Sequence, residues 1–98
     1  MDALWTAQVH LLTPPNELGD TRCWVNVVAW GTTPANFAEN VCAILGRRSW
    51  SVLSIVQTRR AADLTVMADE VAEQIEEAEK QPGSCIFGTM HYYPSKGA

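Results

Sequence analysis

The chain has 98 residues, 47% of them in the hydrophobic set and 18% charged, with a formal net charge of -4. That composition suits one compact domain over residues 1–98 and excludes the low-hydrophobicity, high-charge signature of disorder. No uninterrupted run approaches the roughly 20 apolar residues that span a bilayer, and Met1-Asp2-Ala3-Leu4-Trp5 lacks the basic and apolar segments of a secretory signal, so the expectation is a cytoplasmic protein without a membrane role.

Residues 4 to 12 alternate, with Trp5, Ala7, Val9 and Leu11 on one side and Thr6, Gln8 and His10 on the other, the period of a half-buried strand. Thr13-Pro14-Pro15-Asn16 ends it and Gly19-Asp20 continues the turn. A second strand follows at 22 to 31, with Cys23, Val25, Val27 and Ala29 on its odd face and Trp24, Asn26, Val28 and Trp30 on its even face. Both faces are substantially apolar, so this strand is expected to be central, or exposed on a surface that binds something. Thr33-Pro34 opens a helix, the threonine as cap and the proline where its missing N–H costs nothing. Phe37, Val41, Ile44 and Leu45 form its apolar stripe, and Gly46 supplies the stop ahead of Arg47 and Arg48.

Trp50 to Thr58 reads as a third strand buried on both sides, with Val52 and Val56 on one face and Leu53 and Ile55 on the other. A connection at 59 to 64 leads to a second helix from about Thr65 to Lys80. Its apolar face is Met67, Ala68, Val71, Ile75 and Ala78, and Asp69, Glu70, Glu73, Glu76, Glu77 and Glu79 occupy much of the rest. Pro82-Gly83 ends that helix, Cys85 to Tyr93 is the last strand, and Ser95 to Ala98 is expected to fray.

The order ββαβαβ predicts an α+β two-layer sandwich, a four-stranded sheet with both helices on one face, ferredoxin-like or a close variant. The strand-helix-strand unit from 22 to 58 places its two strands parallel. The first strand then inserts between them, or residues 57 to 66 hide a short strand.

Trp24-Val25-Asn26-Val27-Val28-Ala29-Trp30-Gly31-Thr32-Thr33-Pro34 with Phe37, and Phe87-Gly88-Thr89-Met90-His91-Tyr92-Tyr93 near the end, resemble a group of small uncharacterised bacterial proteins, some of them carried on mobile gene cassettes. The resemblance covers about a third of the chain. It implies a bacterial source and an α+β domain, and it carries no activity, ligand or catalytic residue.

Charge is unevenly placed: five arginines face four acids up to residue 62, giving +1, whereas seven acids face Lys80 and Lys96 beyond it, giving -5. The only basic pairs, Arg47-Arg48 and Arg59-Arg60, fall at element boundaries, too little clustered positive charge for nucleic acid. Cys23, Cys42 and Cys85 form no Cys-x-x-Cys, the two histidines and scattered acids lack ligand spacing, and the six glycines are isolated. Disulfide framework, metal, cofactor and nucleotide loop are therefore not expected.

A cysteine nucleophile with a histidine base would pair Cys85 or Cys23 with His91 or His10, but Cys85 and His91 lie about 20 Å apart along one strand face. No catalytic residue is assigned. The remaining signal is aromatic. If the odd face of the second strand meets the helices, Trp24, Asn26, Val28 and Trp30 form an open sheet face, to which His91 and Tyr93 of the last strand are added as candidates. Strict alternation groups Cys85, Phe87, Thr89, His91 and Tyr93 on one side and Ile86, Gly88, Met90 and Tyr92 on the other, with the outward side undecided. The leading expectation is a non-enzymatic module that forms a homodimer through this face and holds a small apolar ligand. The alternatives are a small-molecule enzyme using His91 for proton transfer, and an immunity-type accessory factor that meets a protein partner through the acidic second helix.

Overall fold

The computed structural model describes residues 2–94, so Met1 and the tail 95–98, where fraying is expected, lie outside the described residues. The fold is α+β: an open antiparallel sheet of five strands with two α-helices. The elements are β1 (Ala3–Leu12), β2 (Arg22–Gly31), α1 (Pro34–Gly46), β3 (Ser51–Arg60), a 3-10 turn at Ala61–Asp63, α2 (Asp69–Glu79), β4 (Cys85–Phe87) and β5 (His91–Tyr93). The order is thus ββαβαββ, with five strands in place of the four expected.

The sheet runs β3-β1-β2-β4, with β5 also on β2. β1 and β2 form a hairpin in unbroken register from Ala3↔Gly31 to Leu12↔Arg22. Its connection is closed by Thr13 N–H donating to the Thr21 carbonyl and by the Asn16 side chain accepting from the Leu18 and Asp20 amides, with Gly19 in the left-handed region at φ 82°. β1 is antiparallel to β2 on one side and to β3 on the other, so β2 and β3 are parallel and the first strand is the one inserted between them. No strand hides in 57 to 66: residues 57–60 extend β3, and the 3-10 turn follows.

The pairs Trp5↔Ala29, Ala7↔Val27, Val9↔Val25 and Leu11↔Cys23 place the apolar alternation of both strands on one surface, here the core face. Thr33 Oγ1 accepts from Asn36 N–H at 3.0 Å and Pro34 occupies the first turn, so α1 starts where cap chemistry predicts. Phe37, Val41 and Leu45 from α1 are fully buried against the core face. Each such side chain contributes about 1.5 to 3 kcal/mol. Gly46 is the last helical residue but not the left-handed stop; that conformation belongs to Ser49 (φ 63°), and the Trp50 amide returns to the Leu45 carbonyl.

The helices do not share one face. Trp30 and Val28 point to the opposite, outer face, where the Trp30 indole N–H donates to the Ala78 carbonyl of α2 at 3.1 Å and Val28 is fully buried. Gln74 of α2 donates to the Asn26 and Ile86 carbonyls at 2.9 and 3.2 Å, fixing the helix over β2 and β4. The physical reason is the apolar even side of β2, which needs its own cover.

Three irregularities correct the predicted faces. β3 is an edge strand and not buried on both sides: Leu53 and Val56 are exposed. Register shifts between His10/Leu11 and Thr6/Gln8 opposite Leu53 and Gln57 put Val52 and Ile55, not Val52 and Val56, against the core. The last strand is broken at Gly88–Met90, where pairing slips by one residue from Val27↔Phe87 to Trp24↔His91. Cys85, Phe87, Met90 and Tyr92 consequently pack on the core, while His91 and Tyr93 join the outer face. α2 itself starts at Asp69, a little after Thr65, without a side-chain cap.

Candidate functional site

All six candidate residues, Trp24, Asn26, Val28, Trp30, His91 and Tyr93, lie on the outer face, but they do not form one open patch. α2 runs from Glu70, beside Gly88 and Thr89, to Ala78, beside Trp30. It removes Val28 from solvent and leaves Trp30 half-buried. Asn26 lies under its first turns, where its carbonyl accepts from Gln74, and Trp24, His91 and Tyr93 remain beyond its N-terminus.

There the hairpin register sets His10 directly opposite Trp24, and β5 sets His91 on the other side of the same tryptophan. The His10 ring stacks on Trp24 with centroids 4.5 Å apart and planes 9° apart. Tyr93 stacks on His10 at 5.6 Å, and its hydroxyl is hydrogen-bonded to His10 Nε2. The stack is therefore held at both ends, by strand pairing and by a side-chain bond. Beside it Gln8, Trp24, Asn26 and His91 line an open depression of about 360 Å³.

The bulge that turns His91 outward is clamped by α2. Thr89 donates to the Glu70 carboxylate through its hydroxyl at 2.8 Å and its amide at 3.2 Å. These bonds hold the Glu70 carboxyl below the usual carboxylate range, and the charge of nearby His91 adds to the effect. Gly88 belongs here because a Cβ would run into the Glu70 carboxylate.

Neither cysteine weighed as a nucleophile shares a face with its histidine. Cys85 faces the core, on the opposite side of the sheet from His91, and burial pushes its thiol up to about 11 against a smaller lowering by Arg48. Burial also raises the Cys23 thiol. Both are protonated near neutral pH, when the thiolate is the reactive form. Cys42 is exposed on α1. Among the described residues no three His, Cys, Asp or Glu side chains converge as metal ligands, and no helix is long and apolar enough to cross a membrane.

The other tryptophans are structural. Trp5 donates to the Gly31 carbonyl at 2.8 Å inside the core, and Trp50 packs edge-on against Phe87 at 5.4 Å under Arg48. Outside the six candidates, His10, weighed in the sequence only as a base for a cysteine, completes the stack, and Glu70 sets the bulge. His10 was legible as the partner of Trp24 once the hairpin register is known; Glu70 sat unmarked in an acidic run. Comparison with known proteins found no matching family model, no significantly similar curated protein and no significantly similar solved structure.

Proposed function

We propose that the protein is a non-enzymatic binding module that pairs with a second copy of itself through the uncovered half of the outer face and holds a small, planar, largely apolar molecule against Trp24. The observation that carries this reading is the Trp24–His10–Tyr93 stack, which lies on the outer face beyond the N-terminus of α2. Because the rings are already fixed, little side-chain entropy opposes binding. Asn26, Gln8 and His91 around the depression orient a ligand through hydrogen bonds, and half-exposed Trp24 supplies the apolar area. The bacterial, cassette-borne group that residues 24–37 and 87–93 resemble is the setting proposed for such a module.

Sedimentation velocity tests it. The wild type is expected to sediment as a dimer at about 100 μM and the Trp24→Ala variant as a monomer with unchanged circular dichroism, the loss being that of a micromolar interaction. A wild type that stays strictly monomeric at that concentration refutes the pairing.

One observation favours a second reading, proton transfer by His91. The Glu70 carboxylate lies within electrostatic reach of that imidazole, which borders the depression. A His91→Ala variant that keeps its fold and loses turnover found in the wild type would support it over the first.

A further inference from the structure

Past Gln8 and Asn26, on the opposite side from the aromatic stack, the outer face holds a second hollow of about 170 Å³, beneath residues 64–68 and the first turn of α2. Its apolar walls include Leu64, Met67 and Val71, and its polar rim includes Gln8, Gln57 and Arg59. Arg59 reaches it only because β3 is irregular. Val56 faces Gln8 and Arg59 faces Thr6, so three steps along β3 match two along β1, and Gln57 takes up the extra residue in the left-handed region at φ 55°. With regular alternation from Val56, Thr58 would oppose Thr6 and Arg59 would turn to the core face. A non-glycine residue at positive φ is strained, and bulges of this kind re-aim side chains beside binding sites.

We propose that this hollow binds a small hydrophobic monocarboxylate. The carboxylate takes the Arg59 guanidinium, whose planar fork matches two carboxylate oxygens, and the Gln57 amide; the apolar body lies on Leu64, Met67 and Val71. Arg59 is the one charged side chain on the lining, which suits one negative charge and disfavours a phosphate dianion. The size suits a ring or short branched chain, since a hollow of about 150 Å³ accommodates benzene. This site does not depend on the aromatic stack or on pairing with a second copy.

Benzoate, benzyl alcohol and inorganic phosphate are the probes, titrated into the full chain and followed by amide chemical shifts. Benzoate is expected to saturate, with shifts at Gln8, Gln57, Arg59 and Val71, and to bind at least about tenfold more tightly than benzyl alcohol, the worth of a charge-assisted hydrogen bond. Phosphate is expected not to displace it. Arg59→Gln, at an exposed position, is expected to keep the wild-type melting curve and weaken benzoate by the same factor. Failure to saturate below about 10 mM overturns the proposal. So does unchanged benzoate binding in Arg59→Gln, displacement by phosphate, or shifts confined to Trp24 and His91, which would place the ligand on the stack instead.

Discussion

Two glycine-to-alanine substitutions should move stability in opposite directions. At Gly31 a Cβ would stand 2.8 Å from both the Cα and the amide nitrogen of Phe37, and 3.0 Å from its Cβ. Two of those atoms are backbone, so relief requires α1 to slide at its first turn. That turn is fixed by the Thr33 cap and by fully buried Phe37, and the Gly31 carbonyl holds the Trp5 indole. Overpacking alone costs about 1 to 3 kcal/mol, and disturbing the cap and the indole bond adds about 1 kcal/mol, so the expected loss is about 2 to 4 kcal/mol. At Gly46, the last residue of α1, nothing lies within 4 Å of a Cβ, and the backbone is helical. Alanine there is expected to gain about 0.5 to 1 kcal/mol by restricting the unfolded chain. Urea unfolding followed by tryptophan fluorescence and far-ultraviolet dichroism measures both. A Gly31→Ala variant within about 0.5 kcal/mol of wild type, the range of ordinary surface substitutions, would refute the packing argument, as would a destabilised Gly46→Ala.

Three further outcomes are expected. Because the folded Glu70 carboxyl titrates below its unfolded value, its clamp on Thr89 is complete above the ordinary carboxylate range and is lost as pH falls through the lowered value; the protection factor of the Thr89 amide, taken against its intrinsic exchange rate at each pH, should fall there in wild type and at neutral pH in Glu70→Gln. In native protein near pH 7.5, iodoacetamide with mass analysis should label exposed Cys42 first, with Cys23 and Cys85 protected until unfolding; early labelling of Cys85 would contradict its raised thiol. Gln74→Leu should lose about 1 to 3 kcal/mol by chemical denaturation, because the Asn26 and Ile86 carbonyls lose a shared donor, although the buried Gln74 Oε1 has no partner to lose.

Much of the architecture was legible because it rests on period and punctuation. The β1–β2 hairpin follows from strict alternation around Pro14-Pro15 and Gly19, and the start of α1 from Thr33-Pro34. What escaped is what one residue can hide. Period-2 reasoning carries a side chain's facing along a strand, and a bulge reverses it without any compositional mark: neither Gln57 nor the Gly88–Met90 break reads as irregular. His91 and Tyr93 belong with Trp24 only through that reversal. The side chosen by α2 also escaped, since its weakly apolar stripe could serve either face, and Gln74 within the stripe binds backbone carbonyls. Trp24 and Trp30 share the even face of β2 as expected, but the helix divides them, covering Trp30 and leaving Trp24 outside its reach.

The place of β1 between β2 and β3 also orders events in time. β1 meets β2 across residues 13–21, a short and cheaply closed loop, but its other edge waits for β3, which begins at Ser51. Folding that starts from local contacts therefore makes the hairpin first, with the edge of β1 open until α1 has formed and carried β3 across, and the edge of β2 open until β4 and β5 reach it. In that interval both flanks are open to pairing with a stranger, and that of β2, whose partners come last in the chain, stays open longest.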